Sequence, residues 1–249
     1  MVLLPIMCPN CGSNHVVKNG HYANGKQRYM CQNSECSRKI FMTDYTYKAY
    51  NPGVKHDILK LTVNGNGTRA IARSLGISPN TVTSTLKKRE DFIIQLNTDY
   101  LNFHRNTEIE VEVVLIEEVE VDEMWSFVHD KSQQYWLWWA IDHNTGVPLA
   151  YVFGTREHKF LDELMKLLAP FDIKIIYADG NYAYKKHIHS SKLINGKTNT
   201  QKIERKHLSL RTWCSRLVRK GIRFSKTHQM HRIVVGLIIN FWFFNRIPW

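Results

Sequence analysis

Three carboxylates, Asp122, Asp179 and Glu204, stand out for their places along the chain. Asp122 ends an alternating run in Val121-Asp122-Glu123-Met124-Trp125, and Asp179 follows an apolar run in Ile176-Tyr177-Ala178-Asp179-Gly180. Glu204 comes after 24 further residues and is the only acid beyond residue 182, among 15 lysines and arginines. Carboxylates brought together from two strand ends and a helix can hold two divalent ions about 4 Å apart, activating an attacking oxygen and stabilising a leaving one. Magnesium, or manganese, suits such oxygen ligands. Blander readings stay open: Glu118, Glu120 and Glu123 compete with Asp122 as a solvated strand face, Asp179 could form a turn with Gly180, and Glu204 could pair with Arg205 or Lys206. Asp142 reads as a hairpin residue in preference to an accessory ligand.

Sulfur forms the second cluster. Four of the five cysteines, Cys8, Cys11, Cys31 and Cys36, lie as Cys-x2-Cys, a 19-residue gap and Cys-x4-Cys. Two close pairs across a short loop are zinc-ribbon spacing, two thiolates from each knuckle completing a tetrahedron. Val16 and Val17, then Gln27 to Met30, read as two short strands about a turn at Asn24-Gly25. A disulfide framework is the competing reading, disfavoured in a reducing cytoplasm, and His15 or His21 could displace one cysteine. Cys214, alone on a basic helical stretch, reads as an ordinary buried thiol.

The elements that must position these groups follow from patterning. Val54 to Val63 reads as a helix stopped by Asn64-Gly65-Asn66-Gly67. Thr68 then caps a helix to Leu75, Gly76-Ile77-Ser78 turns, and Pro79 opens a helix to about Arg89. That is a helix-turn-helix, or, more plainly, a helical hairpin. Ala70, Ile71, Leu75, Ile77, Val82 and Leu86 form its core, and Asn80, Thr81, Thr83, Ser84, Lys87 and Lys88 face outward toward a groove or phosphates. From Asp91 to Glu110 the pattern is weaker and polar and reads as a helical linker, assigned to residues 93–110 and loosest from Asn97 to Thr107. Alternation from Val111 through Val121 predicts an opening strand, Tyr135 to Ile141 and Val147 to Phe153 two more around a turn at Asn144-Thr145-Gly146, and Asp172 to Ala178 a fourth. With helices at Arg156 to Leu168 and Gln201 to about Leu217, the order is the ribonuclease H-like plan. The fold class is therefore α+β and multidomain: zinc ribbon at 1–50, helix-turn-helix at 51–92, linker at 93–110 and a catalytic α/β domain with basic C-terminal helices at 111–249.

Charge supports this division. The net charge of +12 divides into +6 over residues 1–110, −8 over 111–182 and +14 over 183–249. Basic flanks around an acidic middle suit a protein that grips a polyanion and gathers carboxylates around cations. The longest apolar stretch, Ile233 to Phe244, is 12 residues, too short to span a bilayer. Residues Met1 to Met7 lack the charged flank and cleavage site of a secretion signal, so a cytoplasmic, nucleoid-associated protein is expected.

Several segments together resemble the transposases of the insertion-sequence-one family: the Cys8-Pro9-x-Cys11-Gly12 knuckle, Gln27-Arg28-Tyr29-x-Cys31, Asn80-Thr81-Val82, Val121-Asp122-Glu123-x-Trp125, Ala178-Asp179-Gly180 and Thr200-Gln201-x-Ile203-Glu204-Arg205 through Arg211. The resemblance covers nearly the whole chain. It implies that Asp122, Asp179 and Glu204 are the metal ligands of an Asp-Asp-Glu site, and that Arg211, two helical turns past Glu204, holds DNA beside it. In that family the zinc and helix-turn-helix part typically occupies one reading frame, is joined to the catalytic part by frameshifting, and alone binds the element's terminal inverted repeats. Here both parts lie in one chain. Three features depart from the family pattern: the wide second knuckle; Lys206-His207 after Glu204, where His207 is given no role; and the apolar end from Phe241 to Trp249, read as a core helix or a subunit contact.

The expected activity is cleavage that frees 3′-hydroxyl ends and joins them to target DNA, on double-stranded DNA and in a homodimer or larger assembly. Lys185, Lys186, Arg205, Arg211, Arg216, Arg219 and Lys220 are expected along the phosphate path. A ribonuclease H-like nuclease, or a non-catalytic DNA-binding regulator, is the alternative.

Overall fold

The computed structural model describes residues 5–37, 39–105, 116–180 and 182–249. A small antiparallel sheet comes first, from β1 (Val16–His21), β2 (Gln27–Cys31) and β3 (Ile40–Phe41). Helices α1 (Val54–Val63), α2 (Thr68–Leu75) and α3 (Pro79–Lys87) follow, then α4 (Thr98–Arg105). The remainder runs β4 (Glu118–Val128), β5 (Asp130–Asp142), β6 (Pro148–Gly154), α5 (His158–Leu168), β7 (Ile175–Ala178), α6 (Tyr182–His187), β8 (Leu193–Asn195), α7 (Gln201–Trp213) and α8 (His228–Trp242).

The five strands lie in the order β6-β5-β4-β7-β8, antiparallel between β4, β5 and β6 and parallel from β4 through β7 to β8. Three meandering strands followed by two crossovers is the ribonuclease H-like plan. Sequence reading misses α6 and β8. Both are short, and β8 is a largely exposed edge strand without apolar alternation. It also starts β5 five residues late. Residues 130–134 are exposed and polar, but they still pair with the end of β4, whereas the stretch from Tyr135 is buried on both faces and reads as one apolar run. The expected strand residues at 111–115 lie outside the described residues.

Alternation along β4 assigns its side chains to two cores. Val119 and Val121 join Trp138, Ala140, Leu161 and Leu164 under α5. Met124 joins Leu137, Trp139, Ile141, Ile203, Leu210 and the interior face of α8. The second core continues into Ile58, Leu59, Val63, Ile71, Val82 and Leu86, so the helix-turn-helix packs directly on the catalytic half. Thr227 caps α8 by accepting from Met230 N at 3.2 Å, and the helix is buried from Ile233 to Asn240. The stretch from Phe241 to Trp249, expected as a core helix or a subunit contact, is helical only at Phe241 and Trp242, and Trp242, Ile247 and Trp249 are exposed.

The linker is the main correction. Residues 93–97 are docked: Asn240 Nδ2 donates to Ile94 O at 2.9 Å and its Oδ1 accepts from Ile94 N at 3.0 Å. Tyr151 N donates to Gln95 O and Asn97 N to Leu149 O, covering the free edge of β6. Gly236 is needed here, because a Cβ would lie 2.7 Å from Ile93 Cγ2. Asn97, in the stretch expected to be loosest, is itself buried, and Thr98–Arg105 is helical, as a helical linker would be. A polar composition concealed a segment whose order comes from partners far away in sequence. Residues 106–110 lie outside the described ones.

Candidate active site

Val121 pairs with Ala178 in the parallel β4–β7 ladder. Asp179 directly follows β7, at a carboxyl strand end where open α/β sheets bind ligands. Asp122, expected at a strand end, instead lies inside β4, which runs on to Val128 paired with β5; each aspartate stands one residue past the last pair of the β4–β7 ladder. Glu204 lies on α7, which packs across β4. Among the described residues it makes no ion pair, so neither Arg205 nor Lys206 takes it up. Asp122 is 17% exposed and accepts from Glu123 N at 2.8 Å. Burial pushes its carboxyl up to about 7, and the charges of Glu123, Asp179 and Glu204 push the same way against that amide. Asp179 is half-buried and Glu204 exposed, and a burial-raised carboxyl beside like charges is a state that a bound cation would relieve; the donor set is all oxygen, as magnesium requires.

The competing acids have other partners. Glu120 has a 1% exposed side chain, accepts from Ile203 N at 2.9 Å in the first turn of α7, and lies 2.9 Å from His143 Nδ1. It ties β4 to the helix that carries Glu204. Glu118 accepts from Tyr177 at 3.1 Å. Glu123 points to the other face of the sheet, where Tyr184 and Arg156 donate to it. Asp142 is fully buried and holds its hairpin through Asn144 N and Thr145 Oγ1, as expected.

His207 is the residue that sequence reasoning left without a role. Its Nε2 accepts from Trp139 Nε1 at 2.7 Å, and its Nδ1 lies 3.5 Å from Asp122 Oδ2. Burial, with help from the charges of Arg211 and Arg219, lowers its pKa to about 3. The ring is therefore neutral, and because Nε2 accepts, its proton sits on Nδ1 facing Asp122. The contact is a close approach by a neutral ring, too long for a hydrogen bond, and not an ion pair. Trp139 is the register partner of Asp122, so an indole one strand away orients the imidazole. No sequence pattern announces that pairing.

Arg211 is half-buried, and its pKa is lowered by burial and by Arg219 while Asp122 pulls the other way, so both arginines lie within the field of the site. Lys185, Lys186, Arg205, Arg219 and Lys220 are exposed. Arg216 is not available to DNA: it is largely buried, donating to Ser225 Oγ at 3.0 Å and Thr68 Oγ1 at 3.3 Å. The same bond removes Thr68 from its expected capping role, and α2 has Gly67 at its N-cap. Cys214 is fully buried, and burial raises its thiol to about 11, as befits an inert group.

In the N-terminal modules, Cys8 Sγ lies 3.7 Å from Cys36 Sγ and Cys11 Sγ 3.6 Å from Cys31 Sγ, all four within 4.8 Å of one another. Zinc–sulfur bonds of about 2.3 Å set tetrahedral sulfurs roughly 3.8 Å apart, so the wide second knuckle still fits the ion. Ser78 caps α3 through Asn80 N, with Pro79 in its first turn and Gly76 left-handed at the turn. Asn80, Ser84, Lys87 and Lys88 are exposed and Thr83 is half-buried. Thr81 differs from expectation, its hydroxyl lying 2.7 Å from Tyr47 Oη, which also accepts from Ser78 N.

The fold and site define a class: a ribonuclease H-like domain with acids on its central strand, at the end of the neighbouring strand and on a crossing helix, carrying its own zinc and helix-turn-helix modules. The IS1 transposase family model matches residues 113–245, the InsA C-terminal domain model 45–89 and the InsA N-terminal domain model 1–37. The chain belongs to the IS1 transposase family. The insertion element iso-IS1n protein InsB of Shigella dysenteriae is 44% identical over 120 residues, 48% of this chain and 92% of that protein. The insertion element IS1 protein InsB of Shigella sonnei is 40% identical over 121 residues, 49% and 92% of the two chains. A simian T-cell lymphotropic virus intasome chain matches at TM-score 0.37 and 14% identity, over 74% of this chain and 67% of that one, too distantly to bear on the fold. Among the described residues no helix is long and apolar enough to cross a membrane.

Proposed function

We propose that this transposase cleaves DNA at the ends of its element, frees 3′-hydroxyls and joins them to target DNA, with Asp122, Asp179 and Glu204 as the metal ligands. The observation that carries this reading is that Asp122, within β4, and Asp179, just past the end of β7, each stand one residue beyond the last pair of the parallel β4–β7 ladder, within the field of Glu204. Two divalent ions held there would supply nucleophile activation and leaving-group stabilisation. The chain's own groups do the rest. Glu120 fixes the start of α7 and hence Glu204; His207 directs its Nδ1 proton to Asp122; Arg211 and Arg219 offset phosphate charge at the site.

In each step one phosphorus–oxygen bond breaks and one forms. Water replaces the 3′ oxygen at the element's end in the first, and the freed hydroxyl replaces a target oxygen in the second. Lys185, Lys186, Arg205 and Lys220 follow the backbone, while the zinc ribbon and α3 read the terminal repeats. Two ends must meet, so a dimer or larger assembly does the work.

The test is incubation with Mg²⁺, DNA carrying the ends that flank its own gene, and a supercoiled target, beside Asp179→Asn. Joined product that is lost in the variant supports the proposal. Cleavage without joining points to a nuclease, and binding with neither to a regulator.

A further inference from the structure

Between α7 and α8, residues 218–226 form a loop with held ends and a free tip. At one end the Arg219 guanidinium lies 4.8 Å over the Trp125 ring. At the other, Ser225 is fully buried, bridges Val128, and accepts from His129 N at 2.8 Å through its carbonyl and from Arg216 through its hydroxyl at 3.0 Å. Phe224 packs 5.4 Å from Phe127. The loop thus runs beside β4 past the point where β7 ends. Its tip is Ile222, which at 91% is far more exposed than any other large hydrophobic residue described, the next being Leu208 at 66%. Exposed Lys220 and Arg223 flank it, with Arg219 and Lys226 at the two ends.

Single exposed apolar residues are ordinary on protein surfaces. This one is set apart by its mounting, on pinned ends, between cations, beside the candidate carboxylates. Trp125 is three strand residues past Asp122, about 10 Å along β4 and on the opposite sheet face, so the loop passes the strand from beyond the carboxylates. Ile222 is three residues past Arg219, at most about 11 Å of chain. Both distances fall well inside one turn of duplex, about 34 Å. The cations draw in the backbone, but an isoleucine gains nothing from phosphate. It gains contact between stacked bases, where DNA-kinking proteins insert apolar side chains of this kind, and its β-branched stem has little rotamer freedom to lose.

We infer that Ile222 is a wedge that enters DNA between two base pairs within a turn of the scissile phosphodiester, opening the duplex for the carboxylates. The inference rests on DNA being the substrate, as proposed above. The experiment uses the full chain and a duplex bearing the end that flanks its own gene, with 2-aminopurine placed at successive positions. A gel shift records binding of the same duplexes, and melting temperature confirms that the variants are folded. The expected result is a fluorescence rise at one step with the wild type, its loss in Ile222→Ala at saturating protein, and its retention in Ile222→Leu. A rise that survives in Ile222→Ala overturns the assignment to Ile222. Binding without a rise at any position overturns the wedge and leaves the transposase proposal standing. No binding at all overturns both.

Discussion

The cysteine cluster and the carboxylates proposed to hold metal are assembled in opposite ways. The four cysteines fall within 29 residues, at sulfur spacings that already match a tetrahedron. The carboxylates come from two strands and a helix spread over 83 residues, and they repel one another until a cation arrives. In the first case the ion supplies the fold, since a module this small has little core of its own beyond Phe41 and its neighbours. In the second the fold would supply the site: β4, β7 and α7, fixed by the large core, set where the three acids stand.

The sharpest way to break this contrast is metal removal. Chelation should unfold the zinc module, with a loss on the order of 10 kcal/mol of binding free energy, while the five-stranded domain keeps its protected amides. Hydrogen exchange resolved along the chain measures this, and loss of protection across both parts would show that zinc supports the whole chain.

Next in size is Glu120→Ala, which leaves His143 and the first turn of α7 without their buried acceptor. It should cost about 3–5 kcal/mol and weaken Mg²⁺ binding because Glu204 loses its footing; Glu120→Gln should recover part of both. Urea melts and metal titrations report these effects, and unchanged Mg²⁺ affinity in the alanine variant would remove Glu120 from any positioning role.

Asp122→Asn should act in the opposite direction. A carboxyl raised to about 7 in the fold, against about 3.8 unfolded, destabilises the metal-free protein once it must ionise. The advantage of the variant over wild type should be nil near pH 4, grow as pH rises toward 7, and reach about 2–4 kcal/mol there, while the stabilisation by Mg²⁺ disappears. The difference between the two melting curves isolates this group from His207 and His231, whose pKa values near 3 give stability that is present above about 6.5 and lost as pH falls. A difference that does not vary with pH would contradict the strained carboxylate.

The smallest effect belongs to Tyr47→Phe, which removes a hydroxyl joining the chain after the ribbon to the start of α3. A cost of about 1 kcal/mol, confined to that junction in hydrogen exchange, is expected; a loss spread across the five-stranded sheet would mean that the two regions are coupled.

Much of this molecule can be read along the chain. The cysteine spacing, the Ser78-Pro79 helix start, the alternation of β4 and the strand-end position of Asp179 are local patterns, and local patterns survive in a linear text. Asp122 read as a strand end but lies inside β4, because its partners on β5 are not visible locally. The linker was misread because polar residues such as Asn97 gain their order from Leu149 and Pro148, some 50 residues away. Arg216 looked like a phosphate contact because charge is visible in a sequence and burial is not.

Residue types and spacings, then, settled the chemistry on offer: a sulfur site for zinc, a recognition helix and three acids for divalent metal. Only the tertiary structure decided which acid faces which side of the sheet, that Glu120 braces α7 while Glu123 turns to Tyr184, and that His207 meets Asp122. Those choices depend on register between strands and on a helix crossing them, and both are set by packing among residues that lie far apart in the chain.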